Sequence, residues 1–160
     1  YKRQGNYLLE SALERMAAFT PGNSLPRLFE HVFLCAPDVD DNALESGQGL
    51  VSVDHISRNV TIYHNKKDKA MVVSDYTKGN PERLGGNGAA HPALLHNKVH
   101  QVDCTPVVQH TDFTQHSYYL IGNVNGDIRQ SIDAKAQDDG SRKRTRHATL
   151  SNVWVMKKST

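Results

Sequence analysis

Two segments of this 160-residue chain carry residue types that can move a proton during acyl transfer, and each follows a strand-like run. The first is Ile62-Tyr63-His64-Asn65-Lys66-Lys67-Asp68-Lys69-Ala70, which places an aspartate just past the run. The second, His116-Ser117-Tyr118-Tyr119, supplies a histidine further along the chain. A hydroxyl nucleophile needs an imidazole to accept its proton, and the imidazole needs a carboxylate to fix its tautomer and stabilise its charged form. Asp68 and His116 are the candidates for these two roles. Asp38, Asp40 and Asp41 form a second acidic group after another apolar run. With nine histidines in the chain they raise the question of a metal, but no His-x-x-x-His or Cys-x-x-Cys spacing supports one. No metal or cofactor is expected.

These residues need a scaffold, and the hydrophobic pattern outlines it. Leu9, Leu13, Met16 and Ala17, with Leu8, Ala12 and Phe19 beside them, recur at three- and four-residue spacing and predict a helix over 6–19, ended by Thr20-Pro21-Gly22. His31-Val32-Phe33-Leu34-Cys35-Ala36 is a short continuous apolar run stopped by Pro37, as in a strand buried on both faces of a parallel sheet. Asp38, Asp40 and Asp41 then read as caps of a helix taking in Ala43 and Leu44. A second strand is expected over 59–64 with a helix from Lys69 to about Tyr76, then a third strand over 98–104 and a helix from near Asp127 to Ala136. Gly85-Gly86-Asn87-Gly88 lacks the spacing and the lysine of a phosphate-binding loop and reads as a turn. Strands alternating with helices predict a three-layer α/β/α fold with a parallel sheet, whose ligands sit at the strands' carboxyl ends. Asp38, Asp68 and the segment leading to His116 all follow such ends, so one rim should gather them.

Net charge is only +2, so composition makes no electrostatic case for nucleic acid or an anionic membrane. The basic run Ser141 to His147 lacks interleaved aromatics and reads as a solvated segment, with a nucleic-acid contact as the weaker alternative. It falls in an expected polar tail over 138–160 with a short apolar end, following a single domain over 1–137. No apolar run approaches a membrane span. Cys35 and Cys104 lie within apolar runs, as small core residues do in a reducing, cytoplasmic setting.

With those residues placed, the chain resembles the carboxyl-terminal part of a bacterial α/β-hydrolase, of a poorly characterised branch with an Ala-Pro-Asp-Val-Asp segment. Here that segment is Ala36-Pro37-Asp38-Val39-Asp40. The likeness recurs at Tyr63 to Ala70, Arg83-Leu84-Gly85, Val102-Asp103 and His116 to Tyr119, spanning roughly residues 5 to 130. It implies a partial hydrolase fold holding the last three strands of the sheet, with Asp68 as triad acid and His116 as base. It further implies that Lys2-Arg3-Gln4-Gly5-Asn6 aligns with the nucleophile elbow, so Arg3 occupies the serine position and the backbone N–H of Gln4 is an oxyanion donor. Asp38 or Asp40 is the alternative acid, although capping and rim hydrogen bonds are their ordinary work. The substrate implied is a small ester, thioester or amide. Arginine cannot accept an acyl group, so a catalytically inactive binding or assembly module is the rival reading. The strands that would precede Tyr1 in such a fold leave a sheet edge to be covered by an amino-terminal half or by a homo-oligomer contact.

Overall fold

The computed structural model describes residues 2–21, 25–69, 82–108, 117–120 and 122–158. Helix α1, Lys2–Phe19, follows the expected stripe. Leu13 is buried, and Leu9, Met16 and Ala17 pack beside it on the core. Leu8 and Phe19, flanking the stripe, remain exposed. Thr20 ends the helix by donating its hydroxyl to the carbonyl of Met16 at 2.7 Å.

Strands β1 (Phe29–Cys35), β2 (Ser57–His64) and β3 (Val99–Asp103) lie parallel and adjacent, in the arrangement the alternating pattern predicts. Their register pairs Val32 with Val60 and Ile62 with Gln101. The sheet does not stop at three strands. Two more, β4 (Arg144–Arg146) and β5 (Val153–Met156), extend it in the order β1-β2-β3-β5-β4, with β5 parallel to β3 and β4 antiparallel to β5. The stretch expected as a solvated tail is therefore sheet. Its arginines mislead because Arg142 and Arg144 are buried, each bonded to a buried carboxylate on another element. Among the described residues nothing pairs with the outer edge of β1, where Leu28 and Phe29 are exposed.

Each face of the sheet carries its own apolar cluster, which gives three layers. One gathers Leu13, Leu34, Val53, Val60, Ile62 and Leu84. The other gathers Tyr63, Val102, Tyr118, Trp154, Met156 and Val124, the last from helix α3, Gly122–Ile132. The helix expected after Asp41 does not form. Turns closed by Ala43, Glu45 and Gln48 carry the chain to a 3-10 turn at Val51–Asp54, and the left-handed Gly47 at φ 82° breaks any continuous helix there. The helix expected from Lys69 lies outside the described residues beyond Lys69 itself.

The glycine-rich piece forms a one-turn helix, α2, Leu84–Asn87, ended by Gly88 at φ 82°. Gly85 ties two loops of the rim together, since its N–H donates to Pro37 O at 2.8 Å and its carbonyl accepts from Asn65 N at 2.9 Å. A Cβ there would come within 2.7 Å of the Ala36 carbonyl carbon and 2.8 Å of Pro37 N. Those neighbours are backbone and cannot swing away. Gly85→Ala is accordingly expected to destabilise the protein by about 1–3 kcal/mol, the usual cost of overpacking. A shifted urea midpoint at unchanged slope would register it.

Candidate active site

At the end of β1 the chain turns through Ala36, held at φ 49°, a conformation that aims Pro37-Asp38 across the strand ends. Asp38 is 2% exposed and lies 3.7 Å from Arg83 Nε, while Arg83 Nη1 donates to Asp40 Oδ1 at 2.6 Å. Arg83 is itself buried, and its backbone forms an antiparallel bridge with Asp40. Both carboxylates offered as the alternative acid are thus pair partners of one guanidinium, which needs them to offset its own desolvation.

At the end of β2 the chain makes a tight polar turn. Asn65 is fully buried; its side chain accepts from Lys67 N at 3.1 Å and its carbonyl accepts from Asp68 N at 3.0 Å. Thr105 Oγ1, beyond β3, accepts from Lys66 N at 3.0 Å. This turn sets Asp68 at 1% exposure.

The segment after the candidate base reaches the same place. Tyr118 is buried, and its hydroxyl donates to the carbonyl of Tyr63 at 2.6 Å, which also accepts from Ala36 N at 3.1 Å. Burial raises the Tyr118 hydroxyl well above its ordinary value, and Cys104, Asp68 and Cys35 push it further in the same direction. Asp68, Tyr118 and the two cysteines therefore share one electrostatic neighbourhood at the strands' carboxyl ends. His116 lies outside the described residues. Burial, with Asp103 and Asp127 behind it, holds the Cys104 thiol well above its usual range, which removes it as a thiolate nucleophile at neutral pH.

Arg3 and Gln4 lie in the first turn of α1, where backbone N–H groups have no acceptor within the helix. Further along α1, Tyr7 and Glu10 form one wall of a cleft of about 260 Å³, whose other side is Asp40, Gln48 and Arg83. Glu10 lies against Gly49 so closely that a Cβ on that glycine would overlap the carboxylate. Burial, with Glu14 and Asp40 nearby, raises the Glu10 carboxyl. Among the described residues no group of three or more His, Cys, Asp or Glu is placed to hold a metal ion.

One polar cluster escapes the sequence reading. On the second face of the sheet Asp127, 1% exposed, accepts from Tyr63 OH at 2.6 Å, from Arg142 Nε at 2.7 Å and from Arg144 Nη1 at 3.2 Å. Arg142 also bonds Ser131, and Arg144 bonds Gln137. The cluster fastens α3 and the β4–β5 hairpin onto β2, the strand that leads to Asp68. The available signal was Arg144-Thr145-Arg146 ahead of Val153-Trp154-Val155-Met156, a strand pair whose alternate arginines stack on Trp154 at 4.5 and 4.8 Å.

A family model described as an alpha/beta hydrolase of unknown function matches residues 2–128 of the chain. No curated protein and no solved structure matches it. The match covers α1, the first three strands and most of the rim. It ends inside α3, ahead of the two arginines that bind Asp127. No helix among the described residues is long and apolar enough to cross a membrane.

Proposed function

We propose, from the premise that this chain belongs to that family of α/β-hydrolases of unknown function, that its rim is the acid-and-base half of a serine-hydrolase-type centre acting on a small ester, thioester or amide. Asp68 orients the imidazole of His116 and stabilises its charged form, and His116 moves the proton. The backbone N–H of Gln4 is one oxyanion donor, favoured by its place in the first turn of a helix. Arg3 occupies the nucleophile position. The observation that carries the reading is the burial of Asp68 at the end of β2, in electrostatic reach of Tyr118, which stands two residues from His116. A carboxylate so desolvated is stable only with a committed partner.

The test reads the histidine and not turnover. His116 is assigned in an imidazole NMR titration by its loss in His116→Gln, and Asp68→Asn is expected to lower its midpoint, because the imidazolium loses its counter-charge. An unmoved midpoint would remove Asp68 from the role. Aryl-ester hydrolysis by the unaltered chain is expected to match that of His116→Ala, since Arg3 offers no hydroxyl. Burst kinetics abolished by His116→Ala would reveal another nucleophile.

Arg3 itself favours a second reading, a hydrolase fold that binds or assembles without catalysis. Arg3→Ser discriminates: activity gained by that change alone shows an otherwise assembled centre. The edge of β1, which no described residue pairs, fits a covering partner, either an amino-terminal half or a second copy, and Cys35 and Cys104, which form no disulfide, fit the reducing cytoplasm.

A further inference from the structure

A second cavity, of about 390 Å³, opens beside the amino-terminal end of β3, away from the rim just described. Val51, Leu94 and Val99 give it apolar walls, and Glu45, Asp54 and His55 are its charged or titratable lining, with His96. Its volume lies within the range of small-molecule sites, about 300–1,000 Å³, and its mixture of apolar wall and a few polar groups is theirs too.

The decisive residue is Asp54. It is 8% exposed, and its Oδ1 accepts no hydrogen bond from any described residue. Among the described residues the nearest cation-forming group is His55 Nε2 at 3.8 Å, too far for a hydrogen bond, on a ring that is 55% exposed. A buried carboxylate oxygen without a donor is costly, more so than a neutral acceptor. The other neighbours are engaged elsewhere. His91 Nδ1 meets Glu45 Oε1 at 2.8 Å, His96 Nδ1 accepts from Lys98 N at 3.3 Å, and the Lys98 ammonium donates to Ser57 O at 3.2 Å. Among the described residues no lysine or arginine lines the cavity, which holds two carboxylates.

We infer that this cavity binds a small alkylammonium compound, with its ammonium on Asp54 and its alkyl body against Val51, Leu94 and Val99. An ammonium brings three donors and a full positive charge to an oxygen that has neither. A neutral alcohol of the same length would fill the walls but offer a single weak donor. An anion would meet Glu45 and Asp54 and be repelled. The exposed His55 ring is the group that must turn aside to admit the ligand.

The experiment titrates n-butylammonium into the full chain and follows backbone amide NMR shifts. The expected result is a saturable shift confined to residues 51–55 and 94–99, with a dissociation constant at about the millimolar level suited to so small a ligand. Asp54→Asn should weaken it at least about tenfold, and n-butanol should bind at least about tenfold more weakly than the amine, the scale of a lost charge-assisted hydrogen bond. Val51→Lys, at a half-exposed wall position, delivers a competing ammonium from within and should abolish binding even if Asp54→Asn fails to fold. Equal binding of butanol and butylammonium, an unchanged affinity in Asp54→Asn, or no shift at these residues would overturn the inference. So would clearly tighter binding of a lysine-containing peptide than of the free amine, which would make the occupant a protein side chain.

Discussion

Asp127→Asn is expected to destabilise the protein by about 3–5 kcal/mol, the range seen when one partner of a buried ion pair is removed and its counter-charge left behind. Here two guanidiniums depend on one carboxylate. Arg142 is 1% and Arg144 7% exposed, so neither can recover its loss from water. Burial already pushes Arg144 down to about 10, against the pull of Asp127, and removing Asp127 would leave Arg142 as an unopposed repulsive neighbour. Tyr63 and Arg142 Nε now use different carboxylate oxygens, and the amide would leave them a single acceptor to compete for. Against a typical total stability of about 5–15 kcal/mol, a loss of this size leaves a marginal fold. Urea unfolding measures it. A control separates charge from shape: the triple change Asp127→Leu, Arg142→Met, Arg144→Met removes all three charges and should cost less than Asp127→Asn alone. If the triple variant proves the less stable, the cluster works through geometry and hydrogen bonds and not through charge balance.

The same cluster shows where local pattern stops being informative. The apolar runs ending at Cys35, His64 and Asp103 were legible as strands because each is short, rich in β-branched or aromatic residues and bounded by polar turns. The stripe of Leu9, Leu13, Met16 and Ala17 was legible as a helix because its apolar residues recur at three- and four-residue spacing. Arg142 and Arg144 read as solvated because nothing adjacent in sequence reveals that Asp127, 15 and 17 residues away, is buried beneath them. Asp38 and Asp40 were recognisable as rim residues, but their commitment to Arg83 depends on contacts 45 and 43 residues distant. The turns after Asp41 followed from Gly47, whose effect outweighed the caps ahead of it. At the candidate site, the position of Asp68 after β2 could be read from the strand; its near-complete burial depends on loops contributed by Asn65, Gly85 and Tyr118.

Acid is expected to unfold the protein earlier than its carboxylates alone would dictate, because two buried histidines must stay neutral. His100 is 9% exposed, and burial first, then Arg144, Arg142 and Arg146, lower it from 6.5 to about 4. Its Nδ1 lies 3.5 Å from the Trp154 indole N–H, a contact that requires an unprotonated nitrogen. Burial lowers His64 too, although Asp103 and the Gly86 carbonyl pull the other way. Its Nδ1 meets Gly86 O at 3.3 Å, while its Nε2 has no partner among the described residues and would lie 3.0 Å from a Cβ on Gly88. In both cases the folded value lies below the unfolded one, so the unfolded chain binds more protons. The stabilisation is fully present above about pH 6.5 and drains away as the pH falls. For His100 the window runs from about 6.5 to about 4. At roughly 1.4 kcal/mol per unit the whole of it amounts to about 3 kcal/mol. Urea midpoints at pH 7, 5.5 and 4.5 should therefore fall more steeply in the unaltered protein than in His100→Gln, which keeps an acceptor for Trp154 and cannot titrate. Parallel curves would show that His100 gains its proton without cost, through a rearrangement that brings it to water.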